Sequence, residues 1–179
     1  MKLTRGLTRG LILGGLLLPL IVGVYQVWPR SMSQDWQPAG VVAPPELMEQ
    51  AVEEHLDSNF DEHLEQLAVM KISHPGQGSP LYVINTRIPT RSIYDNPRCG
   101  AIGCLFLGYM QTGDDYQNVL SVYLDRHLPP GIPFIEAGDV QNGMPELTIH
   151  QIDGAELMRV RLALTNNAYE PVETQFLPM

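Results

Sequence analysis

Cysteine and lysine are scarce in this sequence, and its first thirty residues contain no acid. Each scarcity excludes something. Two cysteines, Cys99 and Cys104, are too few for a disulfide-rich scaffold. Lys2 and Lys71 are the only lysines, and neither belongs to a glycine-rich phosphate loop. No Asp-Thr-Gly or Asp-Ser-Gly triplet points to an aspartic protease. Gly76-Gln77-Gly78-Ser79-Pro80 places a serine after glycines, but the second flanking glycine of a nucleophile elbow is missing and prolines bound the turn. The sequence therefore assigns no catalytic residue, no cofactor and no metal ligand.

Charge divides the 179 residues in two. Residues 1–30 carry Lys2, Arg5, Arg9 and Arg30 without an acid, a charge of +4. Residues 31–179 carry the other 7 bases and all 20 acids, a charge of −13. A domain that acidic is repelled by nucleic acid and by anionic headgroups, so no nucleic-acid partner is expected.

Residues 11–28 form an apolar run in which only Gln26 is strongly polar, with three positive charges ahead of it. That is a signal peptide or a single membrane span. The length of the run, Trp28 at its end and the lack of an Ala-x-Ala site favour an uncleaved anchor; the alternative is secretion after cleavage. Basic residues before the span place that end in the cytoplasm and the main domain in the periplasm or thylakoid lumen.

The chain is read around residues 94–111, which hold both cysteines. Asn96-Pro97 is a turn, Cys99 and Cys104 close a short loop, and residues 105–110 run on as an apolar strand. In an exported protein a Cys99–Cys104 bridge is the default, contributing roughly 2 kcal/mol for so short a loop. The four-residue gap is not the two-residue gap of thioredoxin-like redox motifs. Gly100 and Gly103 beside the cysteines allow the backbone to turn.

Three segments follow from the rest of the pattern: a membrane anchor or signal segment at 1–30, a proline-bearing linker at 31–45, and an α+β domain at 46–179. Pro44 and Pro45 sit where a helix start tolerates proline. Leu47, Met48, Ala51, Val52, His55 and Leu56 then repeat at helical spacing, with Glu46, Glu49, Glu53 and Glu54 on the other face. Ser58 caps a second short helix carrying Phe60 and Leu64, or the same phase continues as one helix to about residue 66. Beyond that point the chain turns to strand. Hairpins are expected at 67–73 with 81–87 and at 105–111 with 119–125. Short strands follow at 134–137 and 147–151, and a last pair at 157–164 with 169–177. The fold class is α+β: an N-terminal membrane helix, then one or two helices packed on a mainly antiparallel β-sheet.

Metal-like patterns do not complete. His55 and His63 stand about 12 Å apart along a helix, too far for one ion. Asp57-x-Asn59-x-Asp61 begins like an EF-hand loop but has Glu62 where glycine is needed and Ala68 where the bidentate acid is needed. Residues 139–146, from Asp139 through Asn142-Gly143 to Glu146, resemble the calcium loops of integrin-type propeller repeats without their central aspartate. Asn142-Gly143 is a turn signal on its own account, and an ordinary turn is the favoured reading.

Cys-Gly-x-x-Gly-Cys at 99–104 feeding an apolar strand, followed by Asn-Gly-x-Pro-Glu-Leu at 142–147, resembles a pattern in uncharacterised exported bacterial proteins. An anchor followed by an acidic domain is similar to cyanobacterial membrane-anchored proteins. The resemblance implies an exported location and carries no catalytic residue.

The function expected on these grounds is an extracytoplasmic interaction or assembly module, tethered through its N-terminal helix and contacting a membrane-protein partner. Tyr94, Tyr109, Tyr116 and Tyr169 are its candidate contact residues, with burial as sheet residues the competing reading for each. The alternatives are an extracytoplasmic hydrolase using acids with His127 or His150, and a calcium or small-ligand binder using residues 139–146.

Overall fold

Residues 103–109 are buried without interruption, and that run is the centre of the described domain. A strand buried on both faces needs a layer on each side. The computed structural model describes residues 35–56, 60–89, 91–92, 94–125 and 127–179. In chain order these form β1 (Gln37–Pro38), α1 (Ala39–Val42), α2 (Pro45–Glu54), β2 (Ala68–Ile72), β3 (Leu81–Asn85), β4 (Cys99–Gly100), β5 (Gly103–Thr112), β6 (Asp115–Leu124), β7 (Ile135–Gln141), β8 (Met144–Asp153), β9 (Glu156–Thr165) and β10 (Ala168–Pro178). A single 3-10 turn, Leu64–Gln66, precedes β2.

The strands build two sheets, and every pairing is antiparallel. Six strands form the first, in the order β1-β2-β3-β5-β4 with β6 on the far side of β5. Four form the second, in the order β10-β9-β8-β7. Period-2 alternation assigns the faces of the larger sheet. Met70, Ile72, Leu81, Val83, Phe106 and Leu124 meet Ile135, Leu147, Ile149, Val160 and Leu162 of the smaller sheet. Val69, Tyr82, Ile84, Leu105, Leu107 and Tyr109 point the opposite way and receive α2 through Leu47, Met48 and Ala51, with Leu56 and Phe60 beside it. The order of layers is helix, sheet, sheet. One expected sheet is thus two, because the second half of the chain folds back as its own meander over a face the helix leaves uncovered.

A bulge lets β6 serve both layers. Gly108 pairs with Leu120 and Tyr109 with Asn118, so Val119 is left over. The extra residue flips the alternation. Tyr116 therefore faces the helix while Leu120 and Leu124, also even-numbered, face the second sheet. Gly108 is required at the crossing, since a Cβ there would lie 2.7 Å from that of Leu120.

The turns are tighter than the sequence suggests. Gly113-Asp114 alone joins β5 to β6, and Asn166-Asn167, both left-handed at φ 50° and 67°, join β9 to β10. Part of the stretch read as linker is ordered: Gln37 and Pro38 pair with Val69 and Ala68, Ala39 is buried, and Trp36 packs edge-on to Phe106 with centroids 5.8 Å apart. α2 matches the expected helix, and Val52 on its predicted apolar face is only partly buried. The expected span at 11–28 and the expected cap at Ser58 lie outside the described residues. Among the described residues no helix is long and apolar enough to cross a membrane.

Candidate functional site

β3 ends at Asn85, and the chain takes thirteen residues, 86–98, to reach β4. Its start is tied to β5: the Thr86 main-chain N–H and hydroxyl both donate to the Leu105 carbonyl, at 3.1 and 2.9 Å. Ile88 is wholly buried against the helix-side core. Asn96, 3% exposed, is the pivot. Its Oδ1 accepts from the Ile88 N–H at 2.5 Å, and its Nδ2 donates to the carbonyls of Ser92 at 2.8 Å and Arg91 at 3.3 Å. A buried amide with its groups satisfied organises a loop that lacks a ladder of its own.

The loop is closed at its other end by a disulfide. Cys99 and Cys104 are bonded, with sulfurs 2.09 Å apart, and face each other across β4 and β5. The Cys99 N–H donates to the Asn96 carbonyl at 3.2 Å, and the Leu105 N–H donates to the Arg98 carbonyl at 2.9 Å. Gly103 makes the turn possible: its φ is +113°, and a Cβ there would sit 1.9 Å from the Leu124 carbonyl oxygen. Gly100 carries no such constraint, since a Cβ on it would meet nothing within 4 Å.

From this frame Tyr94 projects, 85% exposed, and Ile102 of the adjoining turn is 70% exposed. Arg87, Arg91 and Arg98 are partly exposed around the same loop. Tyrosine and arginine together in one loop are a composition enriched at protein interfaces and their energetic centres.

The other three candidate tyrosines, Tyr109, Tyr116 and Tyr169, are buried, which is the competing reading given for each. Tyr109 is completely buried under α2, its hydroxyl donating to Glu54 Oε2 at 3.1 Å. Burial first, then the Glu54 charge and hydrogen bond, raise its pKa above the ordinary phenol value of 10.0. Tyr169 is buried between the sheets with its hydroxyl on the Pro145 carbonyl at 2.7 Å, and burial raises its pKa in the same direction. Tyr116 is buried beside Tyr82, their centroids 6.1 Å apart, and its pKa is raised by burial and then by Tyr82 and Glu46. Core packing took all three because each falls on an inward phase of its strand.

The oxygen-rich segment is a hairpin. Asp139 lies on β7, Glu146 on β8, and Asn142-Gly143 is the two-residue turn between them. Both Glu146 oxygens accept from Arg161 Nη1, at 2.8 and 3.0 Å, and Arg161 also donates to Glu173 Oε2. The Glu146 carboxylate, which the calcium-binding alternative would use, is thus paired with a guanidinium. His150, a hydrolase candidate, is 6% exposed with Nδ1 against the Pro133 carbonyl at 2.9 Å. His127, the other, is exposed.

A cleft of about 560 Å³ between α2 and the β5–β6 turn is walled by carboxylates, among them Glu46, Glu49, Glu53 and Asp115. It is the solvated acidic face of α2 anticipated from the helical pattern. No family model, curated protein or solved structure matches this chain.

Proposed function

We propose that this chain is an interaction or assembly module held at the extracytoplasmic side of a membrane by residues 11–28, and that the Tyr94 loop is its contact surface. The observation that carries the reading is the contrast within one segment. A buried amide, a buried isoleucine and a disulfide fix the frame, while Tyr94 and Ile102 stand out in solvent. Ordering a loop in advance removes much of the entropy cost of binding through it. The disulfide supports an oxidising compartment, hence the periplasm or thylakoid lumen. The basic residues ahead of an apolar run support the tether. The commitment of Glu146 to Arg161, and of His150 to a main-chain carbonyl, draws support away from the calcium and hydrolase alternatives.

The test is a photo-crosslinking amino acid at position 94 of the full chain in its native membranes. A discrete adduct, lost when the crosslinker is moved to Glu170 on β10, is the expected result. Equal adduct patterns from both positions would refute the assignment of the loop. Asn96→Ala should abolish the adduct by releasing the loop, leaving Ile88 N–H buried without its acceptor at a cost of about 1–3 kcal/mol.

A further inference from the structure

The Tyr94 loop is also where positive charge gathers in an otherwise acidic domain. Of the seven bases in residues 31–179, Arg87, Arg91 and Arg98 lie in this loop, and only Asp95 opposes them there. The Asn96 amide bonds to the backbone at Ile88, Arg91 and Ser92, so the stretches bearing the arginines fold around one side chain. Among the described residues neither Arg87 nor Arg91 has a carboxylate within ion-pair distance. Arg161, by contrast, is held between Glu146 and Glu173. Two guanidinium groups without a carboxylate partner therefore share one loop with an exposed phenol.

Building on the interaction reading above, we infer that this loop binds an acidic protein segment, with carboxylates of the partner paired to Arg87 and Arg91 and an apolar part of it laid on Tyr94. Guanidinium and carboxylate match as planar two-point partners, which an ammonium does not offer. The net charge of the domain selects the shape of the partner. Residues 31–179 carry −13. A membrane sheet or a nucleic acid presents its phosphates to the whole domain and is repelled. A short acidic segment meets the loop alone, because charges farther off than about 8 Å are screened at physiological salt.

The probe is fluorescein-labelled poly-L-glutamate, titrated with the full chain in uncharged detergent micelles and followed by fluorescence anisotropy. The expected result is binding that Arg87→Glu combined with Arg91→Glu weakens by about tenfold or more, equivalent to about 1.4 kcal/mol. Lys71→Glu makes the same kind of charge change on β2, away from the loop, and should alter it by less than about twofold. Raising salt from about 50 to about 500 mM should weaken binding by the wild type and leave the double variant little changed. If the double variant does not keep the wild-type melting temperature, Arg91→Gln replaces it.

Equal weakening by Lys71→Glu would overturn the inference, as a non-specific charge effect. Arginine-dependent binding to phosphatidylglycerol vesicles in place of poly-L-glutamate would overturn it in favour of lipid. No binding of poly-L-glutamate, with the position-94 adduct intact, would overturn the acidic partner and leave the interaction reading standing. Loss of that adduct as well would remove both.

Discussion

The side-chain amide of Gln50 holds both main-chain polar groups of Tyr116. The Tyr116 N–H donates to Gln50 Oε1 at 3.1 Å, and Gln50 Nε2 donates to the Tyr116 carbonyl. An amide carries a donor and an acceptor side by side, as an extended peptide does, so Gln50 takes the place of a strand neighbour. Among the described residues β6 pairs with β5 alone, an edge strand ten residues long. Gln151 Nε2 meets the same strand at the Tyr123 carbonyl, at 2.6 Å. Unpaired edges invite strand addition from other chains, and here side-chain amides from α2 and β8 occupy parts of that edge.

Replacing Gln50 by alanine should therefore destabilise the fold by about 1–3 kcal/mol, since it strands two part-buried main-chain groups. Gln50→Glu retains the acceptor but sets a carboxylate against the Tyr116 carbonyl, and should recover little of the loss. Urea unfolding of the full chain with its disulfide intact measures both. A wild-type midpoint for Gln50→Ala would show that water replaces the clamp at no cost.

The two glycines flanking the bridge should respond oppositely. Gly103→Ala forces a Cβ to 1.9 Å from a main-chain oxygen at a φ of +113°, and neither can relax without separating β5 from β6. A loss beyond about 3 kcal/mol is expected, the upper range for local backbone strain. Gly100→Ala should change stability by less than about 0.5 kcal/mol, as at other open surface positions. Thermal melts of the two variants separate them, and equal shifts would contradict the turn geometry.

Leu47 has no exposed surface beneath α2, whereas Glu53 lies on the solvated face. Leu47→Ala should cost about 2–5 kcal/mol, the transfer term plus the cavity left under the helix. Glu53→Ala should cost less than about 0.5 kcal/mol. Small effects from both would mean that α2 is a spacer and not a layer of the core.

Alkaline pH should unfold the protein through its buried phenols. Tyr109 and Tyr169 both have pKa values raised above the ordinary 10.0, chiefly by burial. The native state then keeps protons that the unfolded chain has released, so stability is complete below about pH 10 and falls as pH climbs beyond it. Tyr109→Phe should flatten part of that fall while losing the bond to Glu54. A stability profile from pH 8 to 12 that is the same for wild type and variant would exclude Tyr109 as a contributor.

How much of this was legible in the sequence depends on the range of the interactions involved. Residues 45–54 announced a helix because the apolar period of 3.6 lies within three turns, and Pro44-Pro45 marked its start. The hairpins showed through Gly113, Asn142-Gly143 and Asn166-Asn167, whose backbone needs are local. Cys99 and Cys104 were near enough in the chain for their bridge to be read from spacing and compartment together.

What the tertiary structure alone decided was which neighbour each face received. Tyr94 and Tyr109 are the same residue type and were equal candidates for a surface, yet one is 85% exposed and the other wholly buried. The difference comes from α2, fifty residues earlier, which covers one face of β5. Asn96 read as a turn residue and proved to be the buried pivot of the loop, because its three partners lie four to eight positions away and are gathered only when Ile88 enters the core. The division into two sheets was likewise out of reach of pattern. A strand's alternation shows that one side is buried without saying against what, and the two layers flanking β5 come from opposite ends of the domain.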